Sequence, residues 1–222
     1  MSIKKGLYGK LPGHGDFIQR ELPASFVKVW DEWLQRAVYG SRELVGESWL
    51  DYYLTSPIWR FALSSGVLDG QAWAGILVPS VDSVGRYFPL TMAVPVTSNT
   101  NPFSVQVTAE SWYQQMSDLA LEALQGGLQA DHLLERFPDF LPGLPDNRVI
   151  DVNGSHIVAC NEANIGSSYP SLLNQLYRAN LSSFSLWWCA GSQQLAPTTL
   201  VSPALPEPTL YCSMLGAPSQ NW

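Results

Sequence analysis

Residues 183 to 191 read SFSLWWCAG, and five apolar side chains follow one another in LWWCA with no polar residue between them. A strand with one wet face alternates polar and apolar residues, so an unbroken apolar run calls for burial on both faces, as in the middle of an α/β sheet. The rest of the chain is consistent with that demand. Phe26, Trp30, Trp33, Leu34, Ala37 and Val38 recur at helical spacing, with Lys28, Asp31, Glu32, Gln35 and Arg36 between them. This predicts a helix with one apolar stripe, started by Pro23 and continuing in broken form to about residue 54. Residues 58 to 65 (IWRFALSS) and 71 to 78 (QAWAGILV) read as two strands around the hairpin-like connection GVLDG, and residues 88 to 96 as a third. Pro95 points to an edge position or a strand end.

Further signals complete the pattern. Residues 3 to 8 suit a short first strand, and TSNTNPF a turn or linker. Trp112, Met116, Leu119 and Ala123 predict a helix over 108 to 125, stopped by Gly126-Gly127. A shorter helix is expected near 129 to 136, then a rigid proline-rich connection, DFLPGLPDN, and a helix over 170 to 179. The prolines between 195 and 208 suggest a surface wrap, with a last strand at 209 to 214 (TLYCSM). Helices interspersed with strands favour a layered α/β domain over a bundle or a β-sandwich.

Charged residues make up only 14% of the 222, well below the usual quarter, so other polar groups or partner contacts must cover the surface. Most of the nine tryptophans belong in the core, with a few available to anchor an interface. Residues 1 to 111 hold nine Lys/Arg against ten Asp/Glu, a net of −1, and residues 112 to 222 three against nine, a net of −6. An acidic half argues against a nucleic-acid surface, whose affinity rests on neutralising phosphates. No apolar run reaches the length of a membrane span and the N-terminus lacks the long apolar core of a signal peptide, which points to the cytoplasm. Cys160, Cys189 and Cys212 are odd in number, scattered and set among apolar residues, and read as buried thiols.

Two stretches look chemical. YGKLPGHGDFIQR, residues 8 to 20, places Lys10, His14 and Asp16 among three glycines. A phosphate-binding P-loop needs a glycine followed by Lys and Ser/Thr, which is absent, and the dinucleotide fingerprint fails because Ile18 stands where its third glycine belongs. A sharp turn built on glycine backbone angles is the reading retained, with His14 facing solvent or capping a turn. VPSVDSVGRYFPL, residues 78 to 90, places Ser80, Asp82 and Arg86 between apolar segments, and Arg60 is the neighbouring isolated cation. An arginine in apolar surroundings needs a carboxylate or carbonyls, so Asp82 or Asp16 is expected to pair with Arg86 or Arg60, and the two loops to approach each other. Arg86→Ala is then expected to cost more stability than Lys10→Ala, because Lys10 can snorkel to water. The sharper reading makes the same loops a recognition groove. An enzyme using Ser80 or Ser83 with His14 is the alternative, although neither serine stands in a nucleophile elbow. No metal-ligand signature or cofactor motif occurs.

GKLPGHGDF (9 to 17), FVKVWDEWL (26 to 34), SPIWRF (56 to 61) and VPSVDSVGRYFPL (78 to 90) together resemble the type VI secretion-associated TagF family, in the form of a small stand-alone member. The matching positions are Gly9, Lys10, Pro12, Gly15, Asp16 and Phe17, then Trp30, Trp33, Ser56, Pro57 and Trp59, then Pro79, Ser80, Asp82, Gly85, Arg86, Phe88 and Pro89. The resemblance implies a cytoplasmic protein that restrains type VI secretion after translation, alongside a threonine kinase and phosphatase pathway, by engaging a forkhead-associated scaffold protein. It also implies an α/β/α layered domain, and no catalytic residues to carry over. Some relatives are fused to a phosphatase domain, for which this chain has neither the room nor the aspartate-rich metal motifs. The expectation is one domain over residues 1 to 222, a three-layer α/β/α sandwich with a mixed sheet. It carries no cofactor and works by binding a protein. The loop candidates are Lys10, His14, Asp16, Arg60, Ser80, Asp82 and Arg86.

Overall fold

The computed structural model describes residues 4–126, 128–140, 147–160 and 164–218. Ile3, Gly127 and most of the proline-rich connection therefore lie outside the described residues. Strands β1 (Gly6–Gly9) and β2 (Ile18–Arg20) flank the glycine-rich loop. Helix α1 (Ala24–Val45) begins directly after Pro23 and buries Phe26, Trp30, Trp33, Leu34, Ala37 and Val38, the stripe expected from the spacing. A 3-10 turn (Gly46–Ser48) breaks it before α2 (Trp49–Thr55). Strands β3 (Trp59–Leu63), β4 (Ala72–Val78) and β5 (Leu90–Val96) follow, then α3 (Pro102–Thr108), α4 (Glu110–Leu124) and α5 (Ala130–Arg136). The chain continues through β6 (Val149–Val152), β7 (Ser155–Val158), a 3-10 turn (Ile165–Ser168), α6 (Tyr169–Asn180), β8 (Ser185–Cys189), β9 (Thr198–Ser202) and α7 (Pro208–Leu215).

The class is mixed α/β, around a seven-stranded sheet of order β2-β1-β5-β4-β3-β8-β9. Every pairing in it is antiparallel, which corrects the expectation of a mixed sheet. The connections from β3 to β4 and from β4 to β5 are too short for a parallel crossover and can only reverse the chain. The long helical excursion from β5 to β8 also returns antiparallel, beside β3. Along β8 the side chains alternate between two cores: Leu186 and Trp188 join one, Trp187 and Cys189 the other. The first core takes residues of α3, α4 and α5, and the second takes residues of α1, α2 and α7. An antiparallel strand covered on both faces thus reads as apolar throughout, without the parallel neighbours that such a run suggests. Pro95 lies in the interior strand β5 and is tolerated because β1 pairs only as far as Ala93, so the strand-end reading holds and the edge reading does not.

All eight described tryptophans are buried, so none of them anchors an exposed interface. Their indole N–H groups are largely satisfied inside: Trp30 donates to Thr91 Oγ1 at 2.8 Å, Trp33 to the Pro206 carbonyl at 2.7 Å and Trp59 to the Met214 carbonyl at 2.9 Å. Cys189 and Cys212 are buried free thiols, while Cys160 is partly exposed.

Three elements differ from the sequence reading. Residues 209 to 214 are helical, not a strand: Tyr211, Met214 and Leu215 share one buried face, Pro208 occupies the first turn, and Gly216 closes the helix with φ 85°. The expected turn TSNTNPF holds over 97 to 101, but its last two residues already belong to α3 (Pro102–Thr108), because the Asn101 side chain accepts from the Phe103 and Ser104 amides and Pro102 fits the first turn. Residues 198 to 202, within the stretch expected to wrap the surface, form β9 and pair with β8; the β6–β7 hairpin carried no expectation. The hairpin had a legible signal: Asn153-Gly154 forms its two-residue loop with φ of 52° and 79°, the geometry that selects this dipeptide.

Candidate functional site

The two chemical-looking stretches meet at the carboxylate of Asp82. The loop after β4 closes on itself: Asp82 N–H donates to the Arg86 carbonyl at 3.1 Å, and Val81 and Tyr87 form an isolated antiparallel bridge. Asp82 Oδ1 accepts the amides of Val84 (3.1 Å) and Arg86 (2.8 Å), while Oδ2 receives the Lys10 ammonium and Arg86 Nε (2.7 Å). The loop after β1 is drawn in by the same groups. Arg86 Nη2 donates to the Gly15 carbonyl at 2.6 Å, and Ser83 N–H to the His14 carbonyl at 2.9 Å. The expected approach of the two loops is therefore observed, and of the pairings considered it is Asp82 with Arg86 that forms.

Burial alone would raise the Asp82 carboxyl. The hydrogen bonds from Lys10 and from the Arg86 and Val84 amides and the Arg86 guanidinium outweigh it, holding the acid well below the usual carboxylate range. Asp82 is therefore a charged carboxylate whose lone pairs are occupied by protein donors. The two cations are not equivalent. The Lys10 side chain is only 5% exposed and that of Arg86 is 55% exposed. This overturns the expectation that Lys10 snorkels to water while Arg86 is buried: Lys10 sits under the loop with its ammonium 4.7 Å from the centre of the Phe17 ring, and Arg86 lies across the outside.

The remaining candidates have their own places. Ser80 is buried, and its hydroxyl donates to the Lys10 carbonyl at 2.7 Å. Its backbone is gripped by Tyr53, whose hydroxyl donates to the Ser80 carbonyl and accepts the Ser80 amide, both at 2.9 Å. His14 Nε2 accepts the Ala130 amide at 3.1 Å, so the imidazole caps the first turn of α5, the capping alternative raised by the sequence. Asp16 is exposed and its carboxylate accepts the Phe17 amide at 2.8 Å. Arg60 does not belong to this cluster. It pairs with Glu110 of α4 at 2.7 Å, over the ring of Tyr113, because its side chain leaves β3 toward the α4 side of the sheet. Among the glycines of the first stretch only Gly9 takes a positive φ, 129°, and a Cβ there would stand 2.0 Å from the Pro89 carbonyl oxygen. Gly9 is thus what lets β1 lie against the end of the second loop; Gly13 and Gly15 do not have the special angles expected of them.

Sequence reasoning missed Tyr53, Phe17 and the α5 amide as partners of these loops. Nothing local marks Tyr53, which reaches Ser80 across 27 positions, or joins Phe17 to Lys10 seven positions before it. At the outer surface of the cluster stand Phe17, 46% exposed, and Val84, 67% exposed, beside Arg86, Ser83 and Asp16. The Phe17 ring is held edge-on to Phe88 at 4.9 Å. Chemically, the arrangement is a rigid two-loop platform with an apolar and polar rim.

Among the described residues no three His, Cys, Asp or Glu side chains gather as a metal site, and no helix is long and apolar enough to cross a membrane. No curated protein matches the sequence. The crystal structure of PA0076 from Pseudomonas aeruginosa PAO1 is similar, with a TM-score of 0.79 and 32% identity over 95% of this chain and 93% of that chain. The model of the TagF N-terminal domain, described as type VI secretion system-associated, matches residues 6–139, which contain both loops; β8 and β9 complete the same sheet from outside that segment. The chain therefore belongs to the type VI secretion-associated TagF family.

Proposed function

We propose that this protein restrains type VI secretion from the cytoplasm as a non-catalytic module that binds another protein, a forkhead-associated scaffold, through the platform formed by the loops at 9–17 and 78–90. The observation that carries the reading is the division of labour in those loops. Their polar interior is consumed by internal bonds around Asp82, while Phe17, Val84, Ser83, Asp16 and the outer side of Arg86 face solvent on a backbone that is already fixed. Pre-organised loops of this kind bind with little ordering cost. The competing hydrolase or transferase reading has less support: the Ser80 hydroxyl is engaged by a carbonyl and His14 Nε2 by a backbone amide. The helices that pack into both cores support an α/β/α layering of the same module.

The test is type VI secretion output together with pull-down of the scaffold protein, on variants with an unchanged melting temperature. Val84→Glu removes an exposed apolar contact and is expected to release secretion and weaken the pull-down. Ser83→Ala removes only a small polar contact from the rim and is expected to weaken secretion control and pull-down together and far less than Val84→Glu. Loss of repression in Ser83→Ala or His14→Ala with binding and melting temperature preserved would replace the binding module with an enzyme.

A further inference from the structure

The exposed large apolar residues are not evenly spread. Half of those described fall between residues 150 and 176: Ile150, Val152, Ile157, Ile165, Tyr169, Leu173 and Leu176, each 40 to 75% exposed. Six of them form two ordered stripes, and Ile165 lies in the 3-10 turn between. Ile150 and Val152 alternate along one face of β6, and Ile157 is the cross-strand partner of Ile150. Tyr169, Leu173 and Leu176 recur at the four- and three-residue spacing of a single helix face on α6. The hairpin and the helix pack on each other, and the Asn147 side-chain Nδ2 donates to the Ser167 carbonyl at 2.8 Å. Among the described residues β6 and β7 pair only with each other, so neither outer edge of this small sheet is covered by a further described strand.

We propose that this flap is a self-association surface, covered by the same flap of a second copy of the chain. Size is the first argument. At roughly 150–200 Å² per fully exposed residue, the seven present on the order of 600 Å², at the top of the ~300–600 Å² range of a monomer's largest apolar patch and at the low end of what one partner contributes to a stable interface. Charge is the second. The protein carries −7 overall, yet the described charged residues of the flap, Arg148, Asp151 and Arg178, include both signs. Two identical faces related by a two-fold axis can therefore meet without placing only like charges together. The surface is separate from the two-loop platform, and the inference does not depend on the regulatory reading.

The experiment is molar mass by light scattering and sedimentation equilibrium on the full chain over a wide concentration range. The unmodified protein is expected to run at twice the chain mass, and Ile157→Lys and Leu173→Lys to run as folded monomers. Leu54→Lys and Leu121→Lys, exposed apolar positions on α2 and α4, are expected to keep the dimer. Hydrogen exchange on the unmodified protein needs no variant to fold, and amides 149 to 158 should become slower as concentration rises. A monomer at every concentration overturns the proposal, as does a dimer that survives both flap variants. Flap amides whose exchange ignores concentration, or a flap protected only by a different protein, would overturn it equally.

Discussion

Lys10→Met is the perturbation that most directly tests the two-loop platform. Methionine keeps the unbranched apolar stem of Lys10 beneath Phe17 and removes only the ammonium. Breaking a buried ion pair by deleting one partner costs about 3–5 kcal/mol, because the surviving charge stays buried without compensation. Here the surviving carboxylate keeps Arg86 Nε and two backbone amides, which places the expected cost near the lower end, about 3 kcal/mol. Arg86→Ala removes a guanidinium that is more than half exposed, so solvent screening reduces its ion pair to below about 1 kcal/mol. Its bond to the Gly15 carbonyl adds about another 1 kcal/mol. Lys10→Met should therefore be the more damaging by at least about 1 kcal/mol. Urea unfolding with a tryptophan fluorescence readout suits a chain whose eight described tryptophans are buried. At a slope of about 2–3 kcal/mol per molar, Lys10→Met lowers the midpoint by about 1 M or more. An unchanged midpoint and slope for Lys10→Met, or a larger loss for Arg86→Ala, would refute the assignment of Lys10 as the buried partner.

Acid titration should expose the same carboxylate. Because folding lowers the Asp82 pKa, its stabilisation is complete above the unfolded value of about 4 and is lost as pH falls below it toward the depressed folded value; urea midpoints between pH 5 and pH 3 should fall less steeply in Asp82→Asn than in the unmodified protein. Ser80→Ala leaves the buried Lys10 carbonyl without its hydroxyl donor and should cost about 1–3 kcal/mol, measurable by the same unfolding assay. Gly9→Ala combines a φ of 129° with a 2.0 Å approach to the Pro89 oxygen, and should cost well over 1 kcal/mol and lower the melting temperature by several degrees, effects that an accommodating backbone would abolish.

Elements whose own residues bury their faces were legible in the sequence, and elements defined by distant partners were not. The stripe of α1 and the apolar runs of β3, β4 and β8 each contain the reason for their structure, since a segment buried in the main core must carry that core's period. Residues 209 to 214 contain both periods: Leu210, Cys212 and Met214 alternate, while Tyr211, Met214 and Leu215 follow a helix. Their packing onto α1 decides between the two, and that contact spans more than 160 positions. Strand order was beyond reach for a related reason. Nothing in LWWCA distinguishes helices that cover a parallel strand from helices that cover an antiparallel one, because the side chains meet the same apolar surface either way.

At the site, composition identified the residues but misjudged their depth. The apolar character of the immediate neighbours points to Arg86 as the buried cation. Depth is set by what lies on top, and here Phe17, which follows Lys10 by seven positions, covers the lysine, while the tip of the 78–90 loop leaves Arg86 outside. That inversion bears on function. If Lys10 and Asp82 form the internal strut, substitutions at either should impair any partner binding only through loss of the fold, with repression and thermal stability falling together. Val84 should behave differently, with binding lost while stability is largely kept. A set of variants plotted as repression against melting temperature should thus separate into two groups, Lys10 and Asp82 on a common line and Val84 off it. A single line through all of them would mean that the exposed rim contributes nothing of its own and that the partner surface lies elsewhere on the molecule.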